Sequence, residues 1–139
     1  MQRRQARRGA LALGSFVAAA AMVLVGSPAM ADTTRVSGDL NRSGALVQYD
    51  YTRTHTFTGP IALNVTKMPG SQLRLGLRNM KAAGGPQFTN TTVWNSRGHR
   101  EFTANGTTTI LRQTRFALQG RMGSCGWPCS VSWSGTLSY

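Results

Sequence analysis

The clearest pattern of apolar and polar positions lies at the C-terminal end of the chain. From Val131 to Tyr139, apolar residues and one glycine alternate without interruption with serine and threonine. Successive side chains of a strand point to opposite faces, so the pattern predicts a β-strand with a core face and a hydroxyl face. Gly135 leaves a gap in the core face, which indicates either a bulge or a close neighbour at that position.

The same alternation recurs earlier in the chain and predicts further strands. Leucines form the core face of one of them, and Phe116 and Leu118 form that of another. Strands or extended segments are predicted at Ala45–Thr58 (one bent strand or two short ones), Ile61–Val65, Gln72–Arg78, Phe88–Asn95, His99–Ala104, Thr107–Arg112 and Thr114–Gln119. Helical periodicity is absent from this part of the sequence, and turn signals recur about every eight to twelve residues. The chain is therefore predicted to be all-β, as an antiparallel β-sandwich or small barrel of about seven to nine strands.

The N-terminal segment follows a different pattern. A cluster of four arginines precedes an apolar run over Ala10–Val25, and Pro28–Ala31 ends in the small-x-small pattern of a cleavage site. This order predicts a helical signal peptide over residues 1–31, cleaved after Ala31, and hence a secreted, extracellular protein. The arginines also permit twin-arginine export. Residues 32–43 are predicted to be a flexible lead-in, and residues 44–139 a single β domain with no transmembrane segment.

Charge narrows the range of partners. The chain carries a formal net charge of +12, and removing the leader takes away four arginines and no acid, which leaves +8. Such a charge favours anionic surfaces such as phosphate polymers, anionic glycans or membranes. Arginine far outnumbers lysine, and a GC-rich genome would produce the same bias. The composition resembles that of small exported proteins of GC-rich Gram-positive bacteria, a resemblance that implies no activity.

The two cysteines lie close together before the last strand. Cys125 and Cys129 are separated by three residues, so in an oxidising compartment they are predicted to form a disulfide with each other. The resulting small ring would carry Trp127 at its tip, either as an anchor for a partner or folded back onto its own sheet. One cysteine pair without a histidine pair at ligand spacing predicts no metal site, and nothing in the sequence predicts a cofactor.

Arginines on the predicted outer faces of two strands form a second candidate binding surface. Arg74 and Arg78 share one strand face, and Arg115 and Arg121 fit the outer face of another. If the two strands pair, the four guanidinium groups would form a stripe able to bind phosphate or sulfate groups. The alternative is a solvated face that keeps the protein soluble.

A third candidate site is a cluster on a predicted hairpin. Asn105-Gly106 is a strong two-residue turn signal. Its register would place His99 and Glu101 on one strand face, with Arg112 opposite His99 and diagonal to Glu101. A carboxylate, an imidazolium and a guanidinium on one face could cleave RNA as base, acid and charge stabiliser. An exposed ion pair is the simpler interpretation.

His55 has the same strand parity as two tyrosines and Phe57. A histidine in an aromatic row is more often a packed, hydrogen-bonded residue than a ligand or base, so we expect a structural role.

Taken together, these patterns predict a small secreted binding protein that is not an enzyme. Its partner would be an envelope or glycan polymer, or an extracellular protein such as a hydrolase, bound through Trp127 and the arginine face. A secreted hydrolase, most plausibly a ribonuclease built on Glu101, His99 and Arg112, is the alternative. Familiar catalytic signatures such as G-x-S-x-G, H-E-x-x-H and the P-loop do not occur in the sequence.

Overall fold

The computed structural model describes residues 31–81 and 85–139, so the predicted leader lies outside the described residues except for Ala31. Within these ranges the regular secondary structure is all-β, as predicted, and no helix there is long and apolar enough to cross a membrane. The strands are β1 Thr33–Asp39, β2 Val47–Gln48, β3 Arg53–Thr54, β4 Ala62–Lys67, β5 Leu73–Asn79, β6 Thr92–Trp94, β7 Gly98–Glu101, β8 Arg115–Met122 and β9 Ser132–Ser138.

The strands form two antiparallel sheets. The first sheet has four strands in the order β1-β9-β4-β7. The second has five, with β2, β8, β5 and β6 in that order and β3 also paired with β8. Neighbours within a sheet are mostly distant in sequence, so non-local pairing builds most of the fold.

One hydrophobic core lies between the sheets, and the predicted alternation builds it. The leucines of β5 and Phe116 and Leu118 of β8 are buried from the second sheet, and Trp133 and Leu137 of β9 are buried from the first. Edge-to-face contacts join the sheets, such as the pair of Phe116 with Tyr139, whose ring centroids are 5.6 Å apart.

Gly135 lies at a close approach of backbones. A Cβ atom built there would come within 2.5 Å of the Asn64 carbonyl oxygen. The pairing of β4 with β9 also shifts register between Val65 and Lys67, directly beside Gly135. Both interpretations of the gap in the apolar face are therefore correct.

The segment predicted to be a flexible lead-in is instead an edge strand. All seven residues of β1 pair with β9, and the backbone of Asp32 exchanges two hydrogen bonds with that of Tyr139. Val36 and Leu40 are buried in the core. The segment is polar because an edge strand contributes few side chains to the core, and polarity alone does not reveal that pairing.

The Asn105-Gly106 turn forms, but the predicted hairpin does not continue from it. Both turn residues have positive φ, of 50° and 79°, and Ala104 pairs with Thr107. Beyond that pair the chain separates: β7 pairs with β4, and Ile110 pairs with Gly59. β7 pairs with β4, whose apolar residues are buried in the core, in preference to extending the local hairpin.

The two long sides of the sheet pair differ. On one side β6 leads directly into β7, and the Trp94 indole Nε1 donates a hydrogen bond to the Gly98 carbonyl at 3.0 Å. On the other side β1 faces β2 and β3, and the Tyr49 side chain bridges the gap. The Trp133 indole donates to the Tyr49 hydroxyl at 2.8 Å, and that hydroxyl donates to the Asp39 carbonyl at 3.1 Å. We call this second side the open side.

Candidate binding site at the disulfide ring

The predicted disulfide joins Cys125 to Cys129 in the connection from β8 to β9. Their Cα atoms are 6.1 Å apart, which lies in the usual range for a disulfide. The bond closes a ring of five residues whose apex is Trp127. Because so short a ring has few accessible backbone conformations, its apex is held in a defined position.

Trp127 projects away from the sheets with 80% of its surface exposed. Of the two alternatives for Trp127, folding back onto its own sheet is therefore wrong, because the short ring carries the indole outward into solvent. The Arg42 guanidinium lies over the Trp127 ring, 4.6 Å from its centroid. This cation–π contact orients the indole without covering both faces.

Hydrogen bonds to backbone carbonyls connect the ring to neighbouring loops. The Arg42 Nε donates to the Cys129 carbonyl at 3.1 Å, and the Cys125 amide donates to the Arg42 carbonyl at 3.3 Å. The Gly70 amide donates to the Ser130 carbonyl at 2.7 Å. Loops from three parts of the chain therefore support one exposed tryptophan, and the site is organised before any partner arrives.

Two of the predicted arginines lie close to the ring. Arg74 and Arg121 are direct cross-strand partners on β5 and β8, and both are exposed. Two residues separate the end of β8 from Cys125, where the ring begins. The Arg74 Nε donates to the Gln72 side chain at 2.6 Å, which directs its guanidinium. Like charges at facing positions repel each other, and this repulsion is relieved when an anion binds both.

Other cations join them at the same end of the molecule. We define the ring end as the disulfide ring together with the exposed side chains of Arg42, Lys67, Arg74, Arg97 and Arg121. Among the described residues Asp39 supplies the acid at this end, where β1 finishes. The ring end therefore carries an excess of positive charge beside an exposed indole.

The predicted arginine stripe is not continuous, because Arg78 is buried. Its guanidinium Nη2 donates to the Tyr49 carbonyl at 3.0 Å and to the Asp50 carboxylate at 3.1 Å. The segment after β2 passes over this part of the sheet and covers it. Arg115 is exposed but lies at the far end of β8, six residues from Arg121 and about 20 Å away along the strand.

The predicted cluster of His99, Glu101 and Arg112 does not assemble. On β7, His99 faces Asn64 and Glu101 faces Ala62 of β4. The Arg112 amide instead hydrogen-bonds the Thr58 side chain at 3.2 Å. Thr58 precedes Asn64 by six residues, about 20 Å of extended chain. The facing pair of His99 with Arg112 is wrong because β4, not the segment after the turn, is the partner of β7.

His55 is a packed residue, as expected. It is fully buried, its ring centroid lies 4.7 Å from that of Phe57, and its Nε2 lies 3.1 Å from the Gly59 carbonyl oxygen. Burial lowers the pKa of His55, and the carbonyls of Gly59 and Ile110 oppose this shift only in part. A neutral imidazole with one hydrogen bond suits a structural role.

Sequence reasoning missed Arg42, although it orients both Trp127 and the ring. Arg42 lies in the segment predicted to be flexible, and its contact with Cys129 spans 87 residues. No sequence pattern around Arg42 indicates a contact with a residue so distant in the chain. The only sequence feature that could have drawn attention to Arg42 is its charge beside two turn-forming residues, Asn41 and Ser43.

Comparisons with family models, with curated proteins and with solved structures find nothing that matches this chain. Over residues 31–81 and 85–139, the structure holds no group of three or more His, Cys, Asp or Glu side chains that could bind a metal ion. The chemistry of the ring end is therefore that of its cations, its indole and the backbone that holds them.

Proposed function

We propose that this chain is a secreted, non-catalytic binding protein, built as a β-sandwich, whose ring end contacts an anionic extracellular polymer. The observation that carries the proposal is Trp127, 80% exposed at the apex of a closed ring and stacked with Arg42. Tryptophan and arginine are among the residues most enriched where partners bind strongly, and a rigid support lowers the conformational entropy that binding costs.

The charges around Trp127 favour an anionic polymer over a protein partner. Arg74 and Arg121 stand side by side, and their planar guanidinium groups match phosphate, sulfate or carboxylate in bidentate geometry. An indole beside them can pack on the rings or bases of a polymer while the arginines hold its charged groups. Positive charge at one end of a molecule also raises the association rate with polyanions.

Export is part of the same proposal. A disulfide is consistent with an oxidising, extracellular location. The expected mature N-terminus is Asp32, and mass spectrometry of protein recovered from culture medium would reveal it.

Retention on immobilised heparin and on immobilised polyphosphate tests the proposal. We expect the mature protein to be retained and to elute with a steep dependence on salt, because each neutralised anionic group releases a counterion. Arg74→Gln and Arg121→Gln should each lower the slope of log affinity against log salt by about 1. Trp127→Ala should weaken binding by about tenfold without a matching change in slope.

Arg115→Gln is the matched control, because it removes one exposed arginine from the far end of the same strand. It should leave retention nearly unchanged. Equal losses from Arg115→Gln and Arg121→Gln would mean that net charge, not the ring end, governs binding. Retention that is absent or insensitive to salt in the unaltered protein would contradict the proposal outright.

A further inference from the structure

Strand β1 is an edge strand, and its free edge lies on the open side of the molecule. It pairs with β9 through all seven of its residues, and no other strand within residues 31–81 and 85–139 pairs with it. The other edge strands are shorter: β7 has four residues, β6 has three, and β2 and β3 have two each. In the described part of the chain β1 is therefore the longest free edge.

Alternate backbone groups of β1 point away from β9. The Asp32 backbone exchanges two hydrogen bonds with that of Tyr139, and the Leu40 amide donates to the Val131 carbonyl at 3.0 Å. Residues two apart in an antiparallel pair have the same orientation, so the even-numbered residues direct their N–H and C=O groups to β9. The odd-numbered residues direct theirs to the open side, and these residues are Thr33, Arg35, Ser37 and Asp39.

The outward backbone groups have few partners. The Asp39 carbonyl accepts the hydrogen bond from the Tyr49 hydroxyl at 3.1 Å, as expected for a carbonyl on this side. The Arg35 carbonyl is contacted by the neighbouring Thr34 hydroxyl at 3.5 Å, and the Ser37 backbone groups have no partner among the described residues. A row of unpaired backbone donors and acceptors is a template on which another strand can pair.

β1 also lacks the features that usually protect a sheet edge. It contains neither proline nor lysine, its pairing with β9 has no bulge, and its inward-facing residues are uncharged. Its two charged residues are Arg35 and Asp39, which lie four residues apart on the outer face, and both are exposed. Because these charges have opposite signs, the strand is complementary to an antiparallel copy of itself.

We propose that β1 pairs with β1 of a second copy of this chain, antiparallel and centred on Ser37. In this register Arg35 of each copy lies opposite Asp39 of the other, and the two Ser37 residues face each other. The outward backbone groups of these residues then meet in about six hydrogen bonds. The four-stranded first sheets of the two copies become one continuous sheet.

The charges select this register over its neighbours. A shift by two residues removes both contacts between Arg35 and Asp39, and a shift by four places either two arginines or two aspartates opposite each other. Opposite charges at facing positions stabilise a strand pair, and like charges destabilise it. A shift by an odd number of residues sets outward backbone groups opposite inward ones. The exposed ion pairs therefore determine the register, while the backbone hydrogen bonds supply more of the affinity.

The second sheets also come together in this arrangement. Antiparallel pairing keeps the inner faces of both copies on the same side, so Val36 faces Gly38 of the second copy, where the Tyr49 ring lies directly against Gly38. Tyr51, 70% exposed between β2 and β3, is at the edge of the second sheet on this side. The two ring ends lie at opposite ends of the dimer, so the pairing does not depend on the function proposed for the ring end.

Analytical ultracentrifugation of the mature protein at micromolar to millimolar concentration tests the proposal. We expect a reversible equilibrium between monomer and dimer. Arg35→Asp and Asp39→Arg should each weaken self-association by at least about tenfold, because each substitution sets like charges opposite each other at two positions. An equimolar mixture of the two variants should associate again, since each copy then supplies the charge that the other needs.

Arg100→Asp is the matched control. It makes the same charge change at an exposed residue of β7, the strand at the other edge of the same sheet, and should leave self-association unchanged. Thermal unfolding verifies that each variant is folded.

Amide hydrogen exchange of the unaltered protein locates the contact without any substitution. The amides of Arg35, Ser37 and Asp39 should exchange rapidly in dilute protein and become protected as the concentration rises. The amides of Thr34 and Val36, which are directed to β9, should be protected at every concentration and serve as the internal control.

Three outcomes would overturn the inference. A protein that stays monomeric at millimolar concentration, with the odd-numbered amides of β1 still unprotected, would show that this edge does not recruit a second copy. A dimer that Arg35→Asp leaves unchanged, or that the mixture of variants does not restore, would assign the contact to another surface or register. Protection of these amides only after another extracellular protein is added would assign the edge to a different partner.

Discussion

Both ends of the sheet pair carry cations, but the two ends differ in the acids that lie beside those cations. At the ring end, arginines from β5 and β8 stand side by side near an exposed indole, with Asp39 as the nearby acid. At the far end, Glu101 and Asp32 lie close to the last pairs of the first sheet, and Arg115 begins β8 in the second sheet. The ring end therefore presents a positively charged surface, and the far end presents a surface of mixed charge.

This difference shows that net charge alone does not identify a binding surface. The position of each charged residue in the fold does. Exposed apolar groups occur at both ends, with Leu111 69% exposed at the far end and Trp127 80% exposed at the ring. Only Trp127 is held by a covalent ring and a stacked guanidinium. Rigid support and an excess of positive charge occur together at the ring end alone among the described residues, and this combination distinguishes it.

The largest expected difference in stability is between substitutions of the two tryptophans near the ring end. Trp133 is 1% exposed and donates a hydrogen bond to Tyr49, so Trp133→Ala should lower the free energy of unfolding by about 3–5 kcal/mol. Trp127→Ala should change it by less than about 0.5 kcal/mol. Urea unfolding of the two variants measures both values. A comparable loss from Trp127→Ala would mean that the exposed indole is structural.

The next largest difference in stability is expected between substitutions of two arginines on the same strand face. Arg78→Ala should lower the free energy of unfolding by about 2–3 kcal/mol, because it leaves the Tyr49 carbonyl without its donor and removes a buried side chain. Arg74→Ala should be nearly neutral in stability. Asp50→Asn should cost less than about 1 kcal/mol, since the Asp50 carboxylate is solvated. A larger loss from Asp50→Asn than from Arg78→Ala would assign the stability to the ion pair instead.

Opening the ring should have a smaller effect on stability and a clear one on binding. Replacing both Cys125 and Cys129 by serine should lower the free energy of unfolding by about 2 kcal/mol, as expected for so short a loop. Heparin retention should also fall, because the Trp127 apex is no longer held in place. Unaltered retention by a folded double variant would show that the rigidity of the ring is irrelevant to binding.

The smallest expected effect is the pH dependence of stability that His55 contributes at the far end. Burial lowers the pKa of His55 below its usual value of 6.5, so as pH falls through 6.5 the unfolded chain binds a proton that the folded chain does not. The free energy of unfolding should therefore be highest above that pH and decrease below it. His55→Gln should reduce this slope. An identical slope in His55→Gln would assign the pH dependence to other groups.

Much of the local structure was predictable from the sequence. The strict alternation in β9 and the leucines of β5 correctly predict which residues are buried, because side-chain parity is a property of any strand. The disulfide follows from the short separation of Cys125 and Cys129, and the turn from the conformational preference of Asn105-Gly106. In each case the controlling interaction acts between residues close in sequence.

The errors concern contacts between distant residues. Arg78 looks like an outer-face residue until the segment around Tyr49 covers it, and the pairing of His99 with Arg112 fails because β4 takes the place of the predicted partner. The role of Arg42 depends on a contact across 87 residues. The open side has no signal in the sequence, because it lies where the edge of β1 pairs with neither β2 nor β3.

The sequence by itself determined the β character of the chain, the inward faces of β5, β8 and β9 and the covalent ring, since short-range sterics and side-chain alternation govern all three. The tertiary structure alone decided which strands are neighbours, which arginines stay in water and which come together, and where the sheets leave an opening. Strand order and the covering of faces depend on how well distant segments bury one another's apolar surface, and that free energy is a property of the assembled core that no single segment carries.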